Sequence, residues 1–135
     1  MALSNTVAKL ARIVEAEVTM PTASGTVQAI SVPANSVVLA AGAVVTEASA
    51  GATAHVFDIS IGSTDIATAL DFEGASLGDI LVEASVPVAT TAADTVDVVS
   101  TVTGTGTAGK ARVWALMLDM GAPVAADEVA RDQLA

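Results

Sequence analysis

Over much of this chain an apolar residue returns at every second position, and this period constrains the fold more than any other feature. A strand turns successive side chains to opposite faces, so alternation marks a strand buried on one side. In "LARIVEAEVTM", 10–20, Leu10, Val14, Ala16, Val18 and Met20 share one phase, and Glu15, Glu17 and Thr19 take the other. Arg12 interrupts the apolar phase and reads as the frayed start of the strand. "PTASG", 21–25, is a turn cluster, and "TVQAISVP" alternates again until Pro33 interrupts the ladder. The cleanest case is "AHVFDISIG", 54–62, with His55, Phe57, Ile59 and Ile61 on one side and Asp58 and Ser60 on the other. "GDILVEASVPV", 78–88, reads as a strand ended by Pro87. "TVDVVSTVTG", 95–104, places Val96, Val98 and Val102 inside, and "KARVWALMLDM", 110–120, closes the series.

Three segments are less regular. "VVLAAGAVVTEA", 37–48, is almost continuously apolar, which predicts a strand covered on both faces; Gly42 and the valines weigh against a helix. "STDIATALDFEG", 63–74, leaves two readings open. Ile66, Ala69 and Leu70 have helical spacing behind a cap at Ser63 or Thr64, or the segment is a loop carrying a short strand. After residue 121 the chain becomes Ala-rich and acidic, with Pro123 and an Asp127–Arg131 pair four apart, either a marginal helix or a mobile tail. The expected organisation is an N-terminal arm at 1–12, one β domain at 13–121 and an acidic C-terminal tail at 122–135. Seven to eight short strands split by Gly, Pro and Thr turns predict an all-β fold with little helix. It is an antiparallel β-sandwich or a jelly-roll-like barrel.

Composition sharpens this. Apolar residues make up 53% of 135 residues, yet the only aromatics are Phe57, Phe72 and Trp114, and Ala and Val dominate. Small side chains fill a thin interlayer and each contributes less on burial than a Leu or Phe. The expectation is a flat two-layer domain that draws further stability from self-association. Fifteen acids against five bases give a net charge of −10, which argues against a nucleic-acid partner. Spread along the chain, the acids read as a solvated, self-repelling exterior. Without cysteine there is neither a disulfide framework nor thiolate chemistry. The longest apolar run, 37–45, has nine residues, against about 20 for a bilayer span. The N-terminus lacks an uninterrupted apolar core of the signal-peptide kind, so a soluble protein made without export is expected, with no membrane partner.

One stretch imitates a nucleotide site. "GTGTAGK", 104–110, satisfies G-x-G-x-x-G through Gly104, Gly106 and Gly109, and with Lys110 most of a phosphate-binding loop. The residues after it read as a strand rather than a helix, and the phosphate-loop pattern requires Ser or Thr where Ala111 stands. A hairpin between the last two strands needs none of the missing parts.

His55 is the only histidine, so neither a multi-histidine metal set nor a choice of triads is available. A triad with Ser60 or Ser63 and Asp58 lacks a nucleophile-elbow pattern, and a packed core histidine is the simpler reading. Asp58, Asp65, Asp71, Glu73, Asp79 and Glu83 have no calcium-loop spacing and read as polar strand faces, although a structural calcium stays open. Trp114 reads as a core anchor. No catalytic residue, cofactor or metal is expected.

At "ISVPANSVVLAAGAVVTEA" and "DTVDVVSTVTGTGTAGKARVWALML" the chain resembles the small β-rich virion proteins of tailed bacteriophages. Ile30 to Val38 match their "I-x-I/V-P-A-G-x-V-V" pattern, with Asn35 in place of Gly, and Asp94 to Leu116 match their closing "D-x-I-x-V-x-V-x-G-T-x-T-A-G-x-A-x-V-x-V". The resemblance spans about residues 10–120 and is one of pattern and composition. By size, acidity and lack of a site, the member it fits best is a head decoration, or cement, protein. That implies a homotrimer on the outer surface of the capsid, bound to the major capsid protein, with no active site to carry over. Lys9 and Arg12, basic residues at the N-terminal end of an acidic chain, are the candidate capsid contacts. A tail-tube, tail-tip or fibre-associated virion protein would share the composition. A glycan-binding module would need more exposed aromatics.

Overall fold

The alternating segments become strands because each has one apolar phase to bury and one polar phase to leave in water. A computed structural model describes residues 11–120. Its strands are β1 (Arg12–Thr19), β2 (Gly25–Val32), β3 (Ser36–Glu47), β4 (Ala52–Ile61) and β5 (Thr64–Asp71), then β6 (Ile80–Val82), β7 (Val88–Ala89), β8 (Asp94–Gly104) and β9 (Lys110–Asp119). One antiparallel sheet, A, has the order β1-β9-β3-β6, with β7 also on β3; the other, B, has the order β2-β8-β4-β5. β6 pairs with Gly42–Val44 and β7 with Val37 and Val38, so the two are pieces of a single interrupted edge strand. Counted that way, eight strands shuttle between two four-stranded sheets in jelly-roll order.

Four connections lie at one end of the sandwich: 20–24, 48–51, 72–79 and 105–109. The other end carries 33–35, 62–63 and 90–93, together with the start of β1 and the finish of β9. Between the sheets, small residues of A (Ala41, Ala43, Ala111, Ala115) meet bulky ones of B (Phe57, Ile59, Ile61), with Phe72, Met20 and Met117 filling the ends. Small against large keeps the layers close at interior packing density, which is how so few aromatics suffice. A bulge between Gln28 and Ile30 shifts the inward phase of β2 from Val27 to Ile30 and Val32.

Four expectations need correcting, and one left open is decided. Of the two readings of residues 63–74, the short strand holds and the helix does not. Gly62 has φ +59 and the pair Ile61–Thr64 closes on a two-residue Gly62–Ser63 turn, so β4 and β5 form a hairpin with Gly at its first central position. The strand expected over 78–88 is reduced to β6 and β7, with Pro87 in the gap.

The 104–110 stretch is not a hairpin: β8 belongs to sheet B and β9 to sheet A, so the loop arches from one sheet to the other. Turn residues mark where a chain reverses; they do not say which strand it pairs with next. β3 is not covered on both faces either. Val38, Ala41, Ala43 and Val45 are buried, whereas Val37, Val44 and Thr46 are only half-buried on the outer side. Trp114 lies on that same outer side, because its neighbours Val113 and Ala115 take the core positions of β9.

Candidate functional site

The glycine arch is held by packing. Gly104 has φ +83, a left-handed conformation that favours glycine. A methyl group on Gly109 would sit 2.5 Å from the Glu47 carbonyl oxygen and 2.7 Å from Phe72 Cζ. Thr107 N donates to Ala50 O at 2.8 Å and Met20 N donates to Gly109 O at 2.8 Å, tying the arch to two neighbouring connections. Methyl groups on Gly104 and Gly106 would likewise come within 3.0 Å of Thr53 and Ala52, so the glycines serve close approach of chains. Lys110 leaves the arch to meet Glu47 at 3.8 Å on the surface.

His55 points into the core, as its phase on β4 requires, and is 2% exposed. Its Nε2 hydrogen-bonds Ser100 Oγ at 3.1 Å, and its ring stands edge-on to Phe72 at 5.1 Å between centroids. Burial holds its pKa below the ordinary value, while the negative charge of Glu73 pulls the other way. This Ser–His pair is sealed, since Ser100 is 2% exposed, and a substrate has no path to it. Ser60 lies on the opposite face of β4, and Ser63 in the β4–β5 turn. Asp58 is not their partner: its Oδ1 accepts from Ala69 N at 2.8 Å and fixes a non-glycine residue with φ +55.

The other acids also serve backbone turns. Asp71 accepts from Gly74 N, Asp79 from Ser76 N at 2.8 Å, and Glu83 from both N and Oγ1 of Thr68. Glu73 accepts from Ser49 Oγ, and Asp65 stands exposed on β5. Among the described residues no group of three or more His, Asp or Glu converges as a metal set.

Of the two candidate capsid contacts, Lys9 lies outside the described residues, as does the tail at 122–135. Arg12 is the exposed first residue of β1 and has no ion pair among the described residues. It borders a shallow groove of about 700 Å³ that also includes Gln28, Ser31, Pro33 and Asp94.

The two outer sheet faces differ, which the sequence reading missed. Sheet B shows Gln28, Asp58, Asp97 and Thr101 outward, with Val56 and Val99 between them. Sheet A is apolar through its middle. Register places Ile13 beside Leu116, Trp114 beside Gly42, and Gly42 beside Val82, with Val44 beside Ile80 in the next row. A methyl group on Gly42 would come within 2.7 Å of Trp114 Cζ2 and 2.8 Å of Val82 Cγ1, so both side chains lie over this glycine. Ile13, Ile80 and Val82 are 65%, 66% and 55% exposed. The signal was available: in 110–120 both phases are apolar, Trp114, Leu116 and Leu118 as well as Val113, Ala115 and Met117.

No protein-family model matches this chain, and no curated protein matches it either. Solved structures do. A chain of the acidic stable capsid structure of Helicobacter pylori bacteriophage KHP30 is similar, with a TM-score of 0.59 and 10% identity, over 84% of this chain and 91% of that one. A chain of the cyanophage Pam1 capsid asymmetric unit is similar with a TM-score of 0.59 and 15% identity, over 87% of this chain and 91% of that one. At such identities the likeness is one of fold, and it spans nearly the whole of each chain.

Proposed function

We propose that this chain is a structural, non-enzymatic virion protein: a capsid decoration protein that binds the outside of a tailed-phage head and stabilises the expanded shell. The observation that carries the reading is the match in fold and size. The jelly roll coincides over 91% of chains belonging to two phage capsids. The absence of an open chemical site among the described residues supports it, since the only Ser–His pair is sealed and the glycine arch is packed.

In this role the chain works as a trimer that bridges neighbouring copies of the major capsid protein after head expansion. Each contact is modest, and three of them on a rigid body raise the effective concentration of the second and third once the first has formed. Lys9 and Arg12 contribute at the N-terminal end, where Arg12 has no ion pair among the described residues and borders its groove. The acidic outer face of sheet B is left to solvent, keeping particles apart.

Cosedimentation tests the reading. Purified chain mixed with heads stripped of it should pellet with expanded heads and stay in solution with unexpanded ones. Equal binding to both, or to neither, would refute it.

A further inference from the structure

Three of the six large apolar side chains left exposed among the described residues share one face of the molecule. Ile13, Ile80 and Val82 lie on the outer face of sheet A. Trp114 and Leu116, half-buried, join them into one surface. Four strands about 4.8 Å apart over some seven residues at about 3.3 Å each outline a face of roughly 400 Å², apolar except where Glu15 stands beside Trp114 and where Arg112 and Glu17 continue the row of Val44. Contiguous apolar patches above a few hundred Å² mark interaction sites on otherwise solvated proteins. An interface of standard size, about 800 Å² per partner, has such an apolar core within a polar rim.

Charge identifies what covers it. The strands of sheet B carry Asp58, Asp65, Asp71, Asp94 and Asp97 and no Lys or Arg. Sheet A carries all the bases of the described residues, Arg12, Lys110 and Arg112, against Glu15, Glu17, Glu47 and Asp119. Arg112 meets Glu15 at 3.9 Å and Lys110 meets Glu47 at 3.8 Å. In a chain of net charge −10, two copies approaching through sheet B would bring like charges together, at a cost that grows as water is excluded. Approaching through sheet A, they join an apolar centre flanked by charges of both signs, three bases against four acids per copy, so the repulsion is far smaller than through sheet B.

We propose that the outer face of sheet A is where copies of this chain pack on one another, with Trp114, seated over Gly42, at the centre of the contact. A large, rigid aromatic in the middle of an apolar patch is the side chain on which such contacts most depend. This inference supplies the self-contact of the assembly under Proposed function and rests on that reading for its role in the particle. Its chemistry depends only on the face itself.

The test is the mass in solution of the full chain, by light scattering on a sizing column. Wild type should run as an oligomer. Val82→Glu and Ile13→Glu, both at exposed positions, should run as monomers with unchanged circular dichroism. Thr101→Glu, on the outer face of sheet B, should keep the oligomer. A monomeric wild type would overturn the inference, whether its own terminal residues or a capsid subunit then covers the face. So would Val82→Glu and Ile13→Glu chains that fold and stay oligomeric. If wild type is monomeric yet pellets with expanded heads, the self-contact fails and the decoration reading stands. If it is oligomeric through this face yet binds no head, the self-contact stands and decoration fails.

Discussion

Replacing Gly109 by alanine separates an arch packed between two sheets from a hairpin loop in water. The new methyl would sit 2.5 Å from the carbonyl oxygen of Glu47 and 2.7 and 2.8 Å from two ring carbons of Phe72. The first is backbone at the end of β3, and the second is a fully buried ring held between His55 and Phe57. Neither can retreat by a simple rotamer change. Overpacking of this kind costs about 1–3 kcal/mol, occasionally more, and the lost freedom of the unfolded chain returns only about 0.4–1 kcal/mol. A clash with backbone puts the cost in the upper part of that range, so a net loss of about 1–2.5 kcal/mol is expected, which at about 4 °C per kcal/mol for a domain of this size lowers Tm by about 4–10 °C.

Gly25→Ala is the matched control, since its methyl would meet nothing closer than the Ala23 carbonyl oxygen at 3.9 Å. It should leave Tm unchanged or raise it slightly. Thermal unfolding followed by circular dichroism, at one protomer concentration because assembly shifts Tm, reads both. If Gly109→Ala melts within a degree of Gly25→Ala, the loop is not packed against Phe72 and the inter-sheet arch is wrong.

The same structure fixes other outcomes. Burial lowers the pKa of His55, so the unfolded chain takes up its proton at higher pH than the folded chain does. The stability it contributes is complete above about pH 6.5 and is lost as the pH falls toward the folded-state value. Urea midpoints at pH 7.5 and 5.5 should therefore fall further for wild type than for His55→Gln, and equal drops would refute the assignment. Ser36 Oγ is buried without a hydrogen-bond partner among the described residues, so Ser36→Ala should be neutral or raise stability by about 1 kcal/mol in urea titration; a clear loss would mean that the hydroxyl has a partner. Phe72→Ala should cost about 3–5 kcal/mol by the same method, and less than about 1 kcal/mol would remove it from the core. Calorimetry should detect no saturable NAD or ATP binding; saturation would reinstate the 104–110 loop as a nucleotide site.

How far the sequence carried the fold can be judged strand by strand. β1, β4 and β8 were legible because one phase is apolar and the other polar, and the all-β class followed from them. β5 was left open between a short helix and a short strand, because Ile66, Ala69 and Leu70 have helical spacing. That spacing is produced instead by irregular pairing between β4 and β5, which has shifts on both sides of Ile59. The glycine arch is legible as a turn, but its residues suggest the wrong partner for β8. Pairing between sheets depends on contacts such as Gly109 against Phe72, far apart in the chain.

The outer face of sheet A was missed for a different reason. A strand apolar in both phases reads as one buried on both sides, and only the three-dimensional order shows that no second layer of the described residues covers β3 and β9. The expectation of self-association, drawn from a thin Ala/Val core, thereby gains a location. Trp114 moves with it, from expected core anchor to the middle of that face.

The central claim is a place on the outside of a head, and electron cryomicroscopy of purified particles tests it most directly. Density for this jelly roll should stand outside the shell at three-fold and quasi-three-fold positions, in groups of three, at a copy number comparable with that of the major capsid protein. Density confined to a vertex, the tail or the particle interior would contradict the account.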